Sequence, residues 1–184
     1  MAKIVSNFFI SLDGVVERPD QWHFPYFDDE MGAAVGHGVE RATAFLMGRK
    51  QYQEWAEYWP NKADGDDGGF AGFINSVPKY VLSNTLTEAT WQNTTLLTGE
   101  SEQVAARLRE IKERSDGEIA MSGSTTTVRW LLANGLLDEL RLLVHPIAVG
   151  SGQRLFEETP TYPLRLARHE TFKSGVLNLA YVPA

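Results

Sequence analysis

Residues 119–135, IAMSGSTTTVRWLLANG, limit what this chain can fold into more than any other stretch. The apolar run Ile119, Ala120 and Met121 reads as a strand, and Ser122, Gly123, Ser124, Thr125 and Thr126 as a tight turn of small residues. Val128, Trp130, Leu131 and Leu132 then fall at helical spacing up to Asn134 and Gly135. Such a turn aims free backbone N–H groups and hydroxyls at one spot, and the helix dipole adds partial positive charge there. A phosphate or pyrophosphate is its natural occupant. A plainer reading has Ser124 or Thr125 capping the helix and Gly123 turning the chain; the residues alone leave both open.

The length, 184 residues, suits one domain, 1–184, around one substantial core. No apolar run approaches the roughly 18 residues of a membrane helix, and Met-Ala-Lys leads straight into a strand-like pattern, so a soluble, cytoplasmic protein without membrane contact is expected. The absence of cysteine excludes disulfides, thiolate metal sites and cysteine nucleophiles, and His23, His37, His145 and His169 lack metal-ligand spacing, so no metal is expected. A formal charge of −7 argues against nucleic acid as partner, because phosphate-backbone binding needs a basic face. An anionic cofactor would have to be held by local donors.

The segment 3–12, KIVSNFFISL, suits a central strand covered on both sides, ended by a turn at Asp13 and Gly14. Residues 15–26 form an aromatic-rich loop containing Trp22 and His23, either a lid over a site or a flap closing one end of the core. Asp28, Asp29 and Glu30 stand where a helix begins, and Met31, Val35 and Val39 continue it. A second strand, 43–47, delivers Gly48, Arg49 and Lys50 to the start of a helix carrying Tyr52, Trp55 and Trp59. Cations in a first helical turn oppose the dipole and cost a few tenths of a kcal/mol unless an anion joins them. Residues 62–69 read as a polar, glycine-rich surface loop and 70–75 as one or two helical turns.

Strands are expected at 78–82, ending in Ser83 and Asn84, and at Leu96 and Leu97, followed by an amphipathic helix over 101–114. From 42 to 135 strands and helices thus alternate, as in a largely parallel sheet with helices on both faces, where ligands bind beyond the carboxyl ends of the strands. The turns at Gly48, Ser83 and Gly123 would all lie at that edge. After Asp138 a strand interrupted at His145 and Pro146 resumes at Ile147, and 164–172 with 176–182 form an antiparallel hairpin. The sheet is therefore mixed.

Together, Ser11-Leu12-Asp13-Gly14, Met47-Gly48-Arg49-x-x-Tyr52, Leu82-Ser83-Asn84, Ser122-Gly123-Ser124-Thr125 and the run from His145 to Phe156 resemble the dihydrofolate reductase-like superfamily. The nearer resemblance is to the C-terminal reductase domain of the bifunctional riboflavin-biosynthesis deaminase/reductase (RibD) and its stand-alone bacterial relatives. It runs over essentially the whole chain and does not extend to the deaminase half. It implies an α/β fold with a mixed, mostly parallel central sheet and a C-terminal antiparallel hairpin, and an NADPH-dependent reductase. Gly48 and Arg49, with Lys50, Ser83 and Asn84, would hold the adenosine 2′-phosphate, and Gly123, Ser124, Thr125 and Thr126 the pyrophosphate. The backbone at Phe9 and Ile10 would meet the nicotinamide carboxamide, with Asp13 and Trp22 facing the nicotinamide and substrate cleft.

In folate reductases an acidic residue on the helix after the Trp-x-x-Pro loop binds the pterin. The matching place here is Phe27, with Asp28 one step along, turned by about 100° on a helix, and Glu30 beyond. Asp28 is the third candidate catalytic residue. The resemblance thus implies hydride transfer to a pyrimidine-, pterin- or folate-like heterocycle, with the 5-amino-6-(5-phosphoribosylamino)uracil reductase of riboflavin synthesis as the specific instance. Two other readings stand beside it. One is a regulatory domain that keeps the dinucleotide pocket without catalysis; the other is a hydrolase using Ser124, for which SGSTT lacks the G-x-S-x-G elbow. The aromatic helix around Trp55, Tyr58 and Trp59 is open to two explanations, a homodimer contact or a satisfied core.

Overall fold

A computed structural model describes residues 1–62 and 69–184. Most of the loop expected over 62–69, namely 63–68, lies outside the described residues. The chain runs β1 (Lys3–Ser11), α1 (Asp29–Arg41), β2 (Ala42–Gly48), α2 (Arg49–Tyr58), α3 (Phe70–Ser76), β3 (Lys79–Leu82) and β4 (Thr94–Leu97). It continues with α4 (Ser101–Arg114), β5 (Glu118–Ser122), α5 (Thr125–Ala133), β6 (Glu139–His145), β7 (Leu164–Thr171) and β8 (Leu177–Pro183). The eight strands form one sheet in the order β4-β3-β2-β5-β1-β6-β8-β7. β1 to β6 are mutually parallel, and β8 runs antiparallel to both β6 and β7. The mixed sheet expected from the sequence is the one observed.

Side-chain alternation along the strands sorts the core into two layers. On one face Ile4, Phe8 and Ile10 of β1, Ala44 and Leu46 of β2 and Ile119 and Met121 of β5 pack under Val104 and Leu108 of α4 and Val128 and Leu131 of α5. On the other, Phe45 and Met47 lie with Tyr52 of α2 and Ile74 of α3, while Met31 of α1 meets Phe172 and Val176 beyond β6. The helices of this second layer cover the two flanks of the sheet and leave a cleft between them, over β5 and β1. Trp55 and Trp59 are absorbed into the α2–α3 packing, edge-on to each other at 5.9 Å with Phe70 against both, and Tyr58 stays exposed.

One expectation needs correction. The strand after Asp138 ends at His145 and does not resume at Ile147. Pro146 has no N–H to donate to a ladder, and the Ile147 N–H turns back onto the His145 carbonyl at 2.8 Å. Val149 and Gly150 then donate their N–H groups to Asp13, clamping this segment across the end of β1. The fourth strand, expected at Leu96 and Leu97, is β4, which starts at Thr94 directly after Asn93 turns the chain at φ +58°. Among the described residues no helix is long and apolar enough to cross a membrane.

Candidate functional site

The parallel strands deliver their carboxyl ends to one edge, where the polar turns converge. Gly48 ends β2 and Ser122 ends β5, and the helices that follow begin side by side. Ser124 adopts the left-handed conformation at φ +59° and makes no cap bond to its own helix. Its hydroxyl accepts the Gly48 N–H at 3.1 Å and donates to Gln51 Oε1 at 2.8 Å, while Gln51 Nε2 donates to the Ser122 carbonyl. The two helix N-termini are therefore cross-braced, and the capping reading of Ser124 is not what the structure shows. Thr125 is buried in the first turn of α5 and Thr126 faces out.

Gly48 is required by space. Its φ of −85° suits any L residue, but a Cβ there would stand 2.9 Å from Thr127 Oγ1 and 3.6 Å from Ser124 Oγ. The bare backbone lets α2 and α5 approach and points both sets of free N–H groups at the same edge. Arg49 and Lys50 are exposed beside it, Arg49 donating to the neutral Gln53 Oε1 at 2.7 Å. After the neighbouring strand β3, Asn84 clasps Gly99 by donating to its carbonyl and accepting its N–H, and the Ser83 hydroxyl accepts the N–H groups of Thr85 and Leu86. Ser83, Asn84, Gly99, Ser101, Thr126 and Trp130 line a crevice of about 310 Å³ between these turns and α5. The donor-rich turns, the exposed cations and the cradle at Gly48 fit a phosphorylated dinucleotide.

Around the corner lies the larger cleft, about 680 Å³. Asn7, Phe9, Ala120 and Ser122 form its floor, α1 one wall, and Trp55, Phe70 and Phe73 the other. Glu30 lines this cleft, its Oε2 accepting the Lys173 N–H at 2.7 Å. Asp28, one of the three candidate catalytic residues, is the N-cap of α1, accepting the Met31 N–H at 2.9 Å; that bond holds its carboxyl below the usual range. Phe27 and Asp28 both precede the helix, which begins at Asp29, so the helical step expected between them does not apply; Glu30, in the first turn, lines the cleft and Asp28 caps the helix start.

Asp13 is likewise engaged. Its carboxylate accepts the Ser11 hydroxyl at 2.5 Å, the Val149 N–H at 3.0 Å and the Gly150 N–H at 2.7 Å, which hold its pKa down to about 2. Trp22 is buried and donates its indole N–H to the Glu17 carbonyl at 3.2 Å. It closes over an aromatic cluster: its ring lies 5.2 Å from His145, edge-on, and Phe9 stacks on His23 at 4.5 Å. Both histidines are buried and held below their usual pKa by that burial, and His23 further by the nearness of His145. His145 Nδ1 meets the Leu143 carbonyl at 2.8 Å, while its Nε2 and His23 Nδ1 make no hydrogen bond within ordinary distance among the described residues. The loop containing Trp22 is thus a packed flap beside Phe9, which lines the cleft. Ile10 points to the opposite, helix-covered face, leaving its backbone at the edge.

Sequence reasoning did not single out Asn7, Ser122 or Gln51 as site residues, and it named Glu30 only as the carboxyl beyond Asp28. The first two sit on the cleft-facing side of β1 and β5, a parity readable only once the register is known; Gln51 matters only because α2 meets the turn after β5.

The sequence model of the RibD C-terminal domain matches residues 2–178. The chain belongs to that family. The uncharacterized protein YyaP of Bacillus subtilis (strain 168) is 26% identical over 182 residues, which cover 97% of this chain and 94% of that one. A putative riboflavin biosynthesis protein from Shewanella sp. PV-4 shares its fold with a TM-score of 0.76 at 22% identity, over 100% and 99% of the two chains. Dihydrofolate reductase from Enterococcus faecalis, solved with NADP(H), superposes with a TM-score of 0.61 at 10% identity, over 98% and 96%. The mixed sheet of this RibD C-terminal domain protein is accordingly of the dihydrofolate reductase-like kind.

Proposed function

We propose that this RibD C-terminal domain protein is an NADPH-dependent reductase that transfers a hydride to a C=N or C=O group of a small pyrimidine-, pterin- or folate-like heterocycle. The observation that carries the reading is the cross-braced pair of helix N-termini at Gly48 and Ser124, flanked by Arg49 and lying directly after Ser122, which lines the aromatic cleft. Arg49 and Lys50, with Ser83 and Asn84, would hold the 2′-phosphate, which a guanidinium at a helix N-terminus favours over the 2′-hydroxyl of NADH. Gly123, Ser124, Thr125 and Thr126 would hold the pyrophosphate. NADPH supplies the hydride when bound.

The chain's own residues orient and dry the reacting groups. Phe9 and Trp22 shut water from the cofactor end, Asn7 and Ser122 offer an amide and a hydroxyl to the polar edge of a flat ring, and Trp55 and Phe73 present aromatic walls for its faces. Glu30 is the carboxyl placed to meet the heterocycle, whereas the Asp13 carboxylate, ionised at neutral pH, holds the edge of the site in shape. The E. faecalis structure that holds NADP(H) has the same fold, which supports the cofactor assignment.

Titration with NADPH and with NADH, followed by tryptophan fluorescence and thermal stability, tests the reading. Tight NADPH binding, much weaker NADH binding, and loss of that preference in Arg49→Ala are expected, followed by NADPH oxidation with an aminouracil, pterin or folate. Absence of binding to either nucleotide sinks the reductase reading. Binding without turnover on any of these substrates would favour the regulatory alternative.

A further inference from the structure

Helix α3 carries two of the aromatic side chains that wall the cleft, Phe70 and Phe73, yet it is only 7 residues long, too short to hold its own position. Its carboxyl end is what fixes it. The Phe73 carbonyl accepts the Val77 N–H in the ordinary helical way, whereas those of Ile74, Asn75 and Ser76, which the helix leaves free, are taken by side chains from 79–93. Lys79 Nζ donates to Ile74 at 2.8 Å and, just beyond the helix, to Val77 at 3.0 Å; Gln92 Nε2 donates to Asn75 at 3.0 Å and Asn93 Nδ2 to Ser76 at 3.1 Å. The two amides are exposed, but Lys79 is fully buried. Among the described residues its ammonium faces carbonyls and the Trp91 ring, 4.6 Å away, and no carboxylate. Burying that charge is costly, and what offsets the cost is the negative end of the α3 dipole and the convergence of carbonyls on its three donors.

Resting on the reductase reading above, we infer that Lys79 is a positioning residue for the heterocyclic substrate: by anchoring α3 it sets where Phe70 and Phe73 stand, and so the slot that takes the flat ring, without lining the cleft itself. The path is short. Ile74, whose carbonyl Lys79 holds, is buried and adjoins Phe73; Phe73 meets Phe70 at 5.8 Å, and Phe70 lies edge-on to Trp55 at 5.8 Å. Removing the ammonium leaves the Ile74 carbonyl buried without its donor, so the end of α3 has to lift toward water and carry the wall with it. The cofactor edge is braced separately. Ser124 and Gln51 bond to Gly48, to each other and to Ser122, with no bond to α3, and Lys79 stands at the start of β3, the opposite end of that strand from Ser83 and Asn84. Lys79 therefore governs the substrate side of the site and leaves the cofactor side alone.

The test is a double-mutant cycle on the whole chain, Lys79→Met with Phe73→Ala, read by calorimetric titration with two flat probes, 6-methylpterin and 5,6-diaminouracil. Lys79→Met is expected to weaken the tighter-binding probe by about tenfold, the scale of one lost aromatic contact, while the NADPH dissociation constant stays within about twofold of the parent's. Phe73→Ala should weaken the probe comparably, and the double variant by no more than about threefold beyond the weaker single one, because both losses act through one wall. Probe binding unchanged in Lys79→Met, losses that multiply in full, NADPH weakened as much as the probe, or no binding of either probe to the parent overturns the inference. Amide hydrogen exchange on the parent decides the anchoring even if Lys79→Met does not fold: residues 74–77 are expected to exchange as slowly as β3, and exchange far ahead of β3 would overturn it. Failure of the parent to bind NADPH would instead remove the reductase reading and leave the probe and exchange results to decide this one.

Discussion

Replacing Gly48 with alanine tests the organisation of the cofactor edge with a single methyl group. The backbone there, φ −85° and ψ 170°, accepts an L residue without strain, so any effect must come from space. The new Cβ would sit 2.9 Å from Thr127 Oγ1, about half an ångström inside ordinary van der Waals contact, and 3.6 Å from Ser124 Oγ. Thr127 is buried in the first helical part of α5 and cannot simply swing aside. Relief therefore moves the start of α5 away from α2, stretching the Gly48 N–H bond to Ser124. Overpacking of this kind costs about 1–3 kcal/mol, and the weakened hydrogen bond about 1 kcal/mol within it. At roughly 2–4 °C per kcal/mol for a chain of this length, the melting temperature should fall by a few degrees and the protein should stay folded. Cofactor affinity should suffer more: donors that no longer converge lose on the order of 1.4 kcal/mol or more, a tenfold rise in the NADPH dissociation constant. Differential scanning fluorimetry and fluorescence titration read the two effects on one sample. A Gly48→Ala protein that binds NADPH as tightly as the parent would refute the convergence of α2 and α5 as the basis of the site.

Glu118→Gln should destabilise the protein by about 3 kcal/mol, because Arg141 is left as a buried cation with one partner; equal urea midpoints for parent and variant would contradict that. His23 and His145 titrate below their usual value of 6.5 in the folded state, so the unfolded chain takes up protons first as the pH drops. Stability should be level above about pH 7, fall as the pH passes below 6.5, and stop falling once the lowered folded values are crossed. Urea denaturation at a series of pH values follows this, and His23→Phe should flatten the slope; an unchanged slope would remove His23 from the account. Gly36, in the interior of α1 with nothing within 4 Å of a would-be Cβ, should accept alanine with a gain of about 0.5–1 kcal/mol from helix propensity. Calorimetry showing a loss there would mean that α1 needs its glycine for a contact absent from the structure.

How much of this could be read from residues alone differs by element. The helix over 101–114 and the central strand at 3–12 were legible because period 3.6 and β-branched density are local properties. The C-terminal hairpin was legible from its turn at Ser174 and Gly175. Continuation of the strand past Pro146 was the wrong inference: the apolar run Ile147, Ala148, Val149 has strand composition, but the Ile147 N–H turns onto the His145 carbonyl and the Val149 N–H is claimed by Asp13, 136 residues earlier. Composition cannot reveal a competitor so distant in sequence. The turn at 122–126 was recognised as a place where donors gather; that Ser124 braces Gly48 instead of capping α5 depended on α2 lying alongside.

The sequence by itself determined the alternation of strands and helices, the mixed character of the sheet and the family resemblance, since each rests on residue types at short, repeating intervals. Tertiary structure alone decided which carboxyl faces the cleft, Glu30 and not Asp28, and that Asp13 is held near pKa 2 by loop donors. It also decided that Arg41, Arg141 and Arg168 pair with Glu118 and Glu139. A side chain's partners depend on which strands become neighbours and in what register, and hydrogen bonds and ion pairs act over a few ångströms of space, irrespective of separation along the chain.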